Sequence, residues 1–424
     1  MHMNTYERVV TVLEGGKPDS IPFVDRLEIW YAHHHRGGTM PEDLRGMTLN
    51  EVHQAVGLDR LKFISPYGLK LMNVEMTIAF EGEEVHRESE PVLESFFCAE
   101  ALAHVPRKAG TTFVEFSTPV GKASLKYRLS AVHERSGMEP FLQEHPIKRE
   151  SDFRVAEYIV EHLEFVPRFE AFFREQEALG KAGFAVATIG RIPFQQVMLE
   201  FLGEVPLFEA LHTCPRRIRR LVDVLDQQRT EVLRRMEEVA LPYVEFTDNL
   251  DGVMTNPKLY AEYCLQAHQR YADILHAQGK KVGSHTDGNL RSLLRLLAES
   301  GLDVCESISP APLSDYTFDE AWEIWEDGPI IWGGIPSSML EQATPERDFR
   351  DYVERLLHTV GDGAIILGIG DMVMENNLIE RVRQIAKEVR SRGAAGQPPT
   401  IAGPHSREAP RSYSGEEEDE CQAG

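Results

Sequence analysis

Cysteine is scarce and scattered in this chain. Its five residues, Cys98, Cys214, Cys264, Cys305 and Cys421, are odd in number and never form a CxxC pair, which excludes a disulfide framework and a thiolate zinc finger. Long apolar runs are also missing. No stretch approaches the roughly 18 residues a membrane span needs, and Met1 to Gly16 lacks the apolar centre of a signal peptide. Positive charge is in deficit, with Lys+Arg 45 against Asp+Glu 68 and a net charge of -23. A field of that sign repels phosphate backbones and anionic membrane surfaces, so neither nucleic acid nor membrane is expected as a partner. The expected location is the cytoplasm.

What is present suits a large folded body. The chain has 424 residues, 42% hydrophobic and 27% charged, which supplies a sizeable core and fits one large domain or two. From about Gly393 the composition changes to Gly, Pro, Ser and Arg and ends in the acidic run Glu416 to Glu420, so residues 393–424 read as a disordered acidic tail. Residues 1–392 read as the folded domain.

The C-terminal half alternates short β-branched runs with amphipathic helical patterns. The runs are Val244 to Thr247, Lys281 to Ser284, Val304 to Ser307, Ile330 to Trp332 and Ala364 to Leu367. Parallel neighbours need such helical crossovers, because tight hairpins cannot join them. Ile21 to Val24, Leu61 to Ile64 and Ala185 to Thr188 are further candidates. Eight runs in all predict an α/β fold, a closed (β/α)8 TIM barrel. A doubly wound open sheet is the alternative, but no GxGxxG turn follows any of the runs. Between about Ile78 and Leu129 the pattern changes to period two around Pro119-Val120-Gly121, which predicts an antiparallel β insertion near the N-terminal half, set over the barrel mouth.

Function in such barrels gathers at the C-terminal strand ends, where the loops converge. Residues on or after those ends are Asp25, Glu28, Arg191, Glu245, Asp248, Asn249, His285, Asp287, Cys305, Glu306 and Asp371, a set rich in carboxylates around one imidazole. His285-x-Asp287 puts two metal-ligating side chains on one side of an extended segment. With carboxylates from neighbouring strands it resembles a zinc site with an open position. Acid-base catalysis by Asp248, Asp287 and Asp371 is the competing reading, with one carboxyl kept protonated by its neighbours. Asp248, Asn249 and Asp371 are the catalytic candidates.

Other conspicuous residues have plainer readings. The tract His33-His34-His35 suits a polar loop or helix face, since adjacent residues do not converge on one ion. Cys305 alternates with Glu306 on its strand and suits a small core position. Pro215 to Arg220 is the basic start of a helix with Ile218, Leu221 and Leu225 on the opposite face. Gly333-Gly334 and Gly368-x-Gly370 follow strands, where they serve either as turn chemistry or as an anion cradle.

Several of these motifs occur together in one known family. Glu7-Arg8-Val9, Leu13-Glu14-Gly15 and Pro18-Asp19-Ser20-Ile21-Pro22 come first, and His285-x-Asp287-Gly288 lies in the middle. Gly333-Gly334-Ile335, Gly370-Asp371, Glu375-Asn376-Asn377 and Glu380-Arg381-Val382 close the series. This order resembles the uroporphyrinogen decarboxylase superfamily, which implies a (β/α)8 barrel. The Arg-Gln-Ala-Gly-Arg signature of the true decarboxylases is replaced here by Asp25 to Tyr31. Thr118 to Gly121, Glu144 to Lys148 and Glu306 to Asp315 look instead like the branch of corrinoid-dependent methyltransferases acting with methylcobamide and coenzyme M. Those enzymes bind zinc through His-x-Cys and a later Cys. Here Asp287 stands where the first Cys would be, and Gly368 to Asp371 contains no Cys.

The resemblance, with that departure, implies zinc held by His285, Asp287 and Glu306, with Glu245 or Asp371 as a fourth partner. It implies a small methyl donor or acceptor, such as a methyl ether or amine, and a corrinoid supplied by a separate protein. A homodimer is one arrangement it allows. Tetrapyrrole decarboxylation and a non-catalytic small-molecule-binding barrel are the alternatives.

Overall fold

The structure is a computed structural model and describes residues 2–94, 102–370 and 372–394. Cys98, Cys421, Asp371 and the tail from 395 onward lie outside the described residues, so the catalytic and ligand readings of Asp371 have no structural counterpart.

All eight expected runs are strands of one parallel sheet. In chain order they are Val24–Asp25, Asp59–Ile64, Gly183–Thr188, Tyr243–Phe246, Lys281–His285, Val304–Ile308, Ile330–Pro336 and Ile365–Gly370, and spatial order follows chain order. A parallel bridge between Phe23 and Leu367 brings the first strand back to the eighth. The sheet is thus a nearly closed eight-stranded parallel barrel, consistent with the TIM architecture. The first strand is shorter than its hydrophobic run because Pro22 lacks an N–H; its carbonyl still accepts from the Leu367 amide at 2.9 Å. Asp25 strengthens the closure, since its buried carboxylate accepts from the Ile369 amide at 2.5 Å.

The helix Thr5–Leu13 begins with an Asn4 and Glu7 capping box. Its Val9, Val12 and Leu13 pack with Leu61, Phe184 and Tyr243, residues near the N-terminal ends of their strands. The helix therefore plugs the base of the barrel and leaves the polar strand ends on the opposite side.

The antiparallel material lies between the second and third barrel strands and is longer than the expected 78–129. It runs from Tyr67–Leu71 to Leu163–Pro167 and forms one sheet of three strands and one of five. Gly110–Thr118 and Gly121–Leu129 make the expected hairpin, with Thr118 opposite Gly121. The extension went unread because Leu163 pairs with Leu71 across a long sequence gap, with no turn to announce it. The three-histidine tract lies in the helix Glu28–Gly37. In the helix Pro215–Arg235, Arg217, Arg219 and Arg220 pair with Glu150, Glu262 and Glu161, as expected of a solvated face. Among the described residues no helix is long and apolar enough to cross a membrane.

Candidate metal centre

Register decides which strand-end residues meet. In the fourth strand Tyr243 and Glu245 share a face, and Glu245 lies opposite Gly283 of the fifth strand. One pleat further along the fifth strand, His285 lies opposite Glu306 of the sixth. The three side chains Glu245, His285 and Glu306 are buried, and one ligand-type atom from each lies within 4.8 Å of the other two. His285 Nδ1 is 2.5 Å from Glu306 Oε2. Glu245 Oε2 accepts from the Tyr243 hydroxyl at 2.8 Å, while Glu245 Oε1 is buried with no hydrogen-bond partner.

Two backbone features aim these groups. The sixth strand shifts register between Cys305 and Ile308, and Ser307 there has φ 64°. A bulge of this kind re-aims the neighbouring side chain, here Glu306, and left-handed backbone at a non-glycine residue is typical of functional sites. The bulge also explains Gly333, whose φ is 129° and whose added Cβ would stand 2.7 Å from Ile308 N and O. Close backbone approach accounts for it without an anion cradle. Gly283 has a similar role inside the barrel, because a Cβ there would come within 2.0 Å of the Tyr243 hydroxyl. Gly283→Ala is expected to cost about 1–3 kcal/mol by overpacking. Adding Tyr243→Phe should restore part of it, and denaturant unfolding of the two single variants and the double variant checks the coupling.

The electrostatics follow from burial. Removal from water together with the charge of Glu306 pushes the Glu245 carboxyl well above its usual range. Burial works against a charged His285, but Glu306 and Asp287 outweigh it and hold the imidazole well above its ordinary value. Asp287 is half-buried, yet its contacts with His285 and Asn249 keep its carboxyl low.

Asp287 occupies a different place from the one expected of a ligand. It is absent from the three-residue cluster and sits by the other ring nitrogen, with Oδ2 3.5 Å from His285 Nε2. Asn249 donates to the same oxygen at 3.1 Å and accepts from Arg191 Nη1 at 2.7 Å, and Arg191 in turn pairs with half-buried Glu200. Asn249 adopts φ 53° to make this link. Glu245, a reserve choice in the sequence reading, takes the position in the cluster that Asp287 was expected to fill.

Asp248 is also near the site but engaged elsewhere. Its Oδ1 accepts from the Ile192 amide at 2.7 Å, and its Oδ2 meets Ser284 Oγ at 2.8 Å and His268 Nε2 at 3.0 Å. His268 Nδ1 lies 2.9 Å from the Tyr260 hydroxyl. These partners account for both oxygens and tie the loops after the third and fourth strands, together with the fifth strand, to the helix layer. Cys305 is fully buried in the main core, on the face opposite Glu306. Glu28 pairs with Arg60 at 3.1 Å. Two site neighbours escaped the sequence reading. Tyr243 is signalled by its i, i+2 spacing from Glu245, and Phe63 stands edge-on to His285 with ring centroids 6.5 Å apart. The Arg26 guanidinium lies 4.9 Å from the centre of the Phe63 ring.

Comparison with known proteins bears on this barrel directly. Residues 204–392, which carry the fourth to eighth strands and with them Glu245, His285 and Glu306, match the family model for uroporphyrinogen decarboxylase (URO-D). The match covers the C-terminal part of the barrel. Among solved structures, a methyltransferase from Methanosarcina mazei is similar to this chain with a TM-score of 0.54 at 12% identity, covering 93% of this chain and 100% of the other. At that identity the likeness is one of fold. An octameric ribulose-1,5-bisphosphate carboxylase/oxygenase from Pyrococcus horikoshii OT3 gives a TM-score of 0.29 at 10% identity, covering 56% of this chain and 46% of the other. No curated protein matches the sequence significantly. The family-model match agrees with the resemblance carried by the sequence motifs over residues 204–392.

Proposed function

We propose that this protein is a zinc-dependent methyltransferase that moves a methyl group between a small methyl ether or amine and a corrinoid carried by a separate protein. The observation that carries the reading is the buried convergence of Glu245, His285 and Glu306, with Glu245 Oε1 left without a partner. A buried, unpaired carboxylate oxygen is costly, and a cation satisfies it. Two carboxylates and an imidazole within that span fit zinc and leave a position open for a substrate atom. The methyltransferase from Methanosarcina mazei shares the fold and supports the class of reaction.

In this reading Glu245, Glu306 and His285 Nδ1 hold the ion. Asp287 is the carboxylate that fixes the imidazole through Nε2, and Asn249 and Arg191 fix Asp287. The HxD motif is then one ligand and its orienting partner. When bound, zinc supplies Lewis acidity that polarises the oxygen or nitrogen bearing the methyl group. The Tyr243 hydroxyl holds Glu245 from below, and Phe63 limits water beside His285. Tetrapyrrole decarboxylation fits less well, because a polycarboxylate substrate would face the buried acids of this cluster.

The test is metal analysis of the purified chain beside His285→Ala, followed by spectroscopic measurement of cob(I)alamin methylation with a panel of methyl ethers and methylamines. The reading expects stoichiometric zinc in the parent, none in the barrel of the variant, and methylation by the parent alone. Because burial and neighbouring charges raise both His285 and Glu245 and so favour their protonated forms, zinc uptake is expected to release protons and to tighten as pH rises. Equal metal in parent and variant would reject the site.

A further inference from the structure

Outside the barrel, the antiparallel insertion brings together a second set of metal-ligating side chains. Among the described residues, the strand Glu83–Ser89 is the edge of the five-stranded sheet and pairs only with Glu75–Phe80. His86 and Glu88, two residues apart, project from the same face of that strand. Glu88 Oε2 lies 3.3 Å from His86 Nε2. The imidazole of His104, from the loop 102–109, stacks on that of His86 with centroids 3.6 Å apart and planes 2° apart. One donor atom from each of the three residues lies within 4.8 Å of the others.

We infer that His86, Glu88 and His104 form a binding site for a divalent transition-metal ion, which clips the loop 102–109 to the exposed edge strand. Two imidazoles and a carboxylate are donors of the type that zinc, nickel and copper prefer, and calcium and magnesium do not. Three protein donors on an open surface leave the remaining positions to water. The loop already has attachments toward its far end, where Arg107 pairs with Glu139 and the Ala109 amide donates to Glu134. His104 supplies an attachment at the near end, and it reaches an edge that otherwise presents unpaired backbone to solvent. The set shares no residue with the barrel cluster, so it stands whether or not that cluster binds metal.

Equilibrium dialysis of the full chain against zinc, after removal of metal by a chelator, tests the site. The His285→Ala protein isolates it from the barrel. One equivalent of zinc is expected there, weakened more than about tenfold by His104→Ala or His86→Gln, since loss of even an outer-shell partner costs about that much. Glu83→Gln, on the same strand, should change nothing. If His285→Ala folds poorly, the same comparison is made between the parent and His104→Ala, which should differ by one equivalent. Equal zinc binding with and without the His104 imidazole overturns the site. Hydrogen exchange supplies a second readout: slower exchange over 102–109 when zinc is added supports the clip, and unchanged exchange overturns it.

Discussion

Under the proposed function, Glu245→Gln is expected to abolish zinc binding in the barrel and to lower methyl transfer at least about a thousandfold, while leaving the metal-free protein as stable as the parent or more so. The two effects have opposite signs because the carboxylate is fully buried and Oε1 has no partner. Gln is isosteric and can still accept from the Tyr243 hydroxyl, but it offers no anionic ligand. Loss of a single preorganised charge-stabilising group costs about a hundred- to a thousandfold, and loss of the ion exceeds that. Stability moves the other way. Burial and Glu306 raise the Glu245 carboxyl, so folding the metal-free protein favours proton uptake there and costs stability at a pH where the unfolded chain is ionised. That destabilisation is present above the unfolded value near pH 4.3 and disappears below it. A gain of about 1–2 kcal/mol is therefore expected near pH 7 in metal-free protein, within the range seen on neutralising buried charges, and it should vanish in acid. Denaturant unfolding at the two pH values, with metal analysis alongside, checks both halves. Full metal retention by Glu245→Gln would remove Glu245 from the ligand set.

Asp248→Ala should show the reverse pattern, with a large loss of stability. The substitution leaves the Ile192 amide, the Ser284 hydroxyl and His268 without their shared acceptor in a fully buried place. Removing one partner from such a network costs about 3–5 kcal/mol. Urea unfolding of the metal-free protein measures it directly. Should Asp248→Ala unfold with the parent yet lose turnover, Asp248 would belong to the chemistry after all, as its position after a strand first indicated.

The barrel was legible because its strands are buried on both faces and read as short apolar runs between amphipathic helices. All eight runs became strands, although most of their ends shifted, as where Ile330 to Trp332 extends to Ile330–Pro336 and Leu61 to Ile64 begins at Asp59. The insertion was half legible: the hairpin around Pro119-Val120 has local turn chemistry, whereas Tyr67–Leu71 and Leu163–Pro167 meet only in three dimensions. At the site, strand-end position singled out Glu245, His285 and Glu306, but choosing among the acids required the register between strands. Glu245 pairs with Gly283 and His285 with Glu306, and neither pairing is written in the one-dimensional spacing. Asp287 lies beyond the end of its strand, where alternation no longer says which way a side chain points. Asp248 was misleading for the same reason, since the chain turns after Phe246 and carries its carboxylate to the helix layer.

The short helix Thr5–Leu13 has a bearing on traffic. With the floor of the barrel sealed by Val9, Val12 and Leu13, everything that visits Glu245, His285 and Glu306 must enter and leave through the same rim. In the proposed reaction the two reactants share one doorway, so the later arrival docks against a rim already shaped by the earlier one.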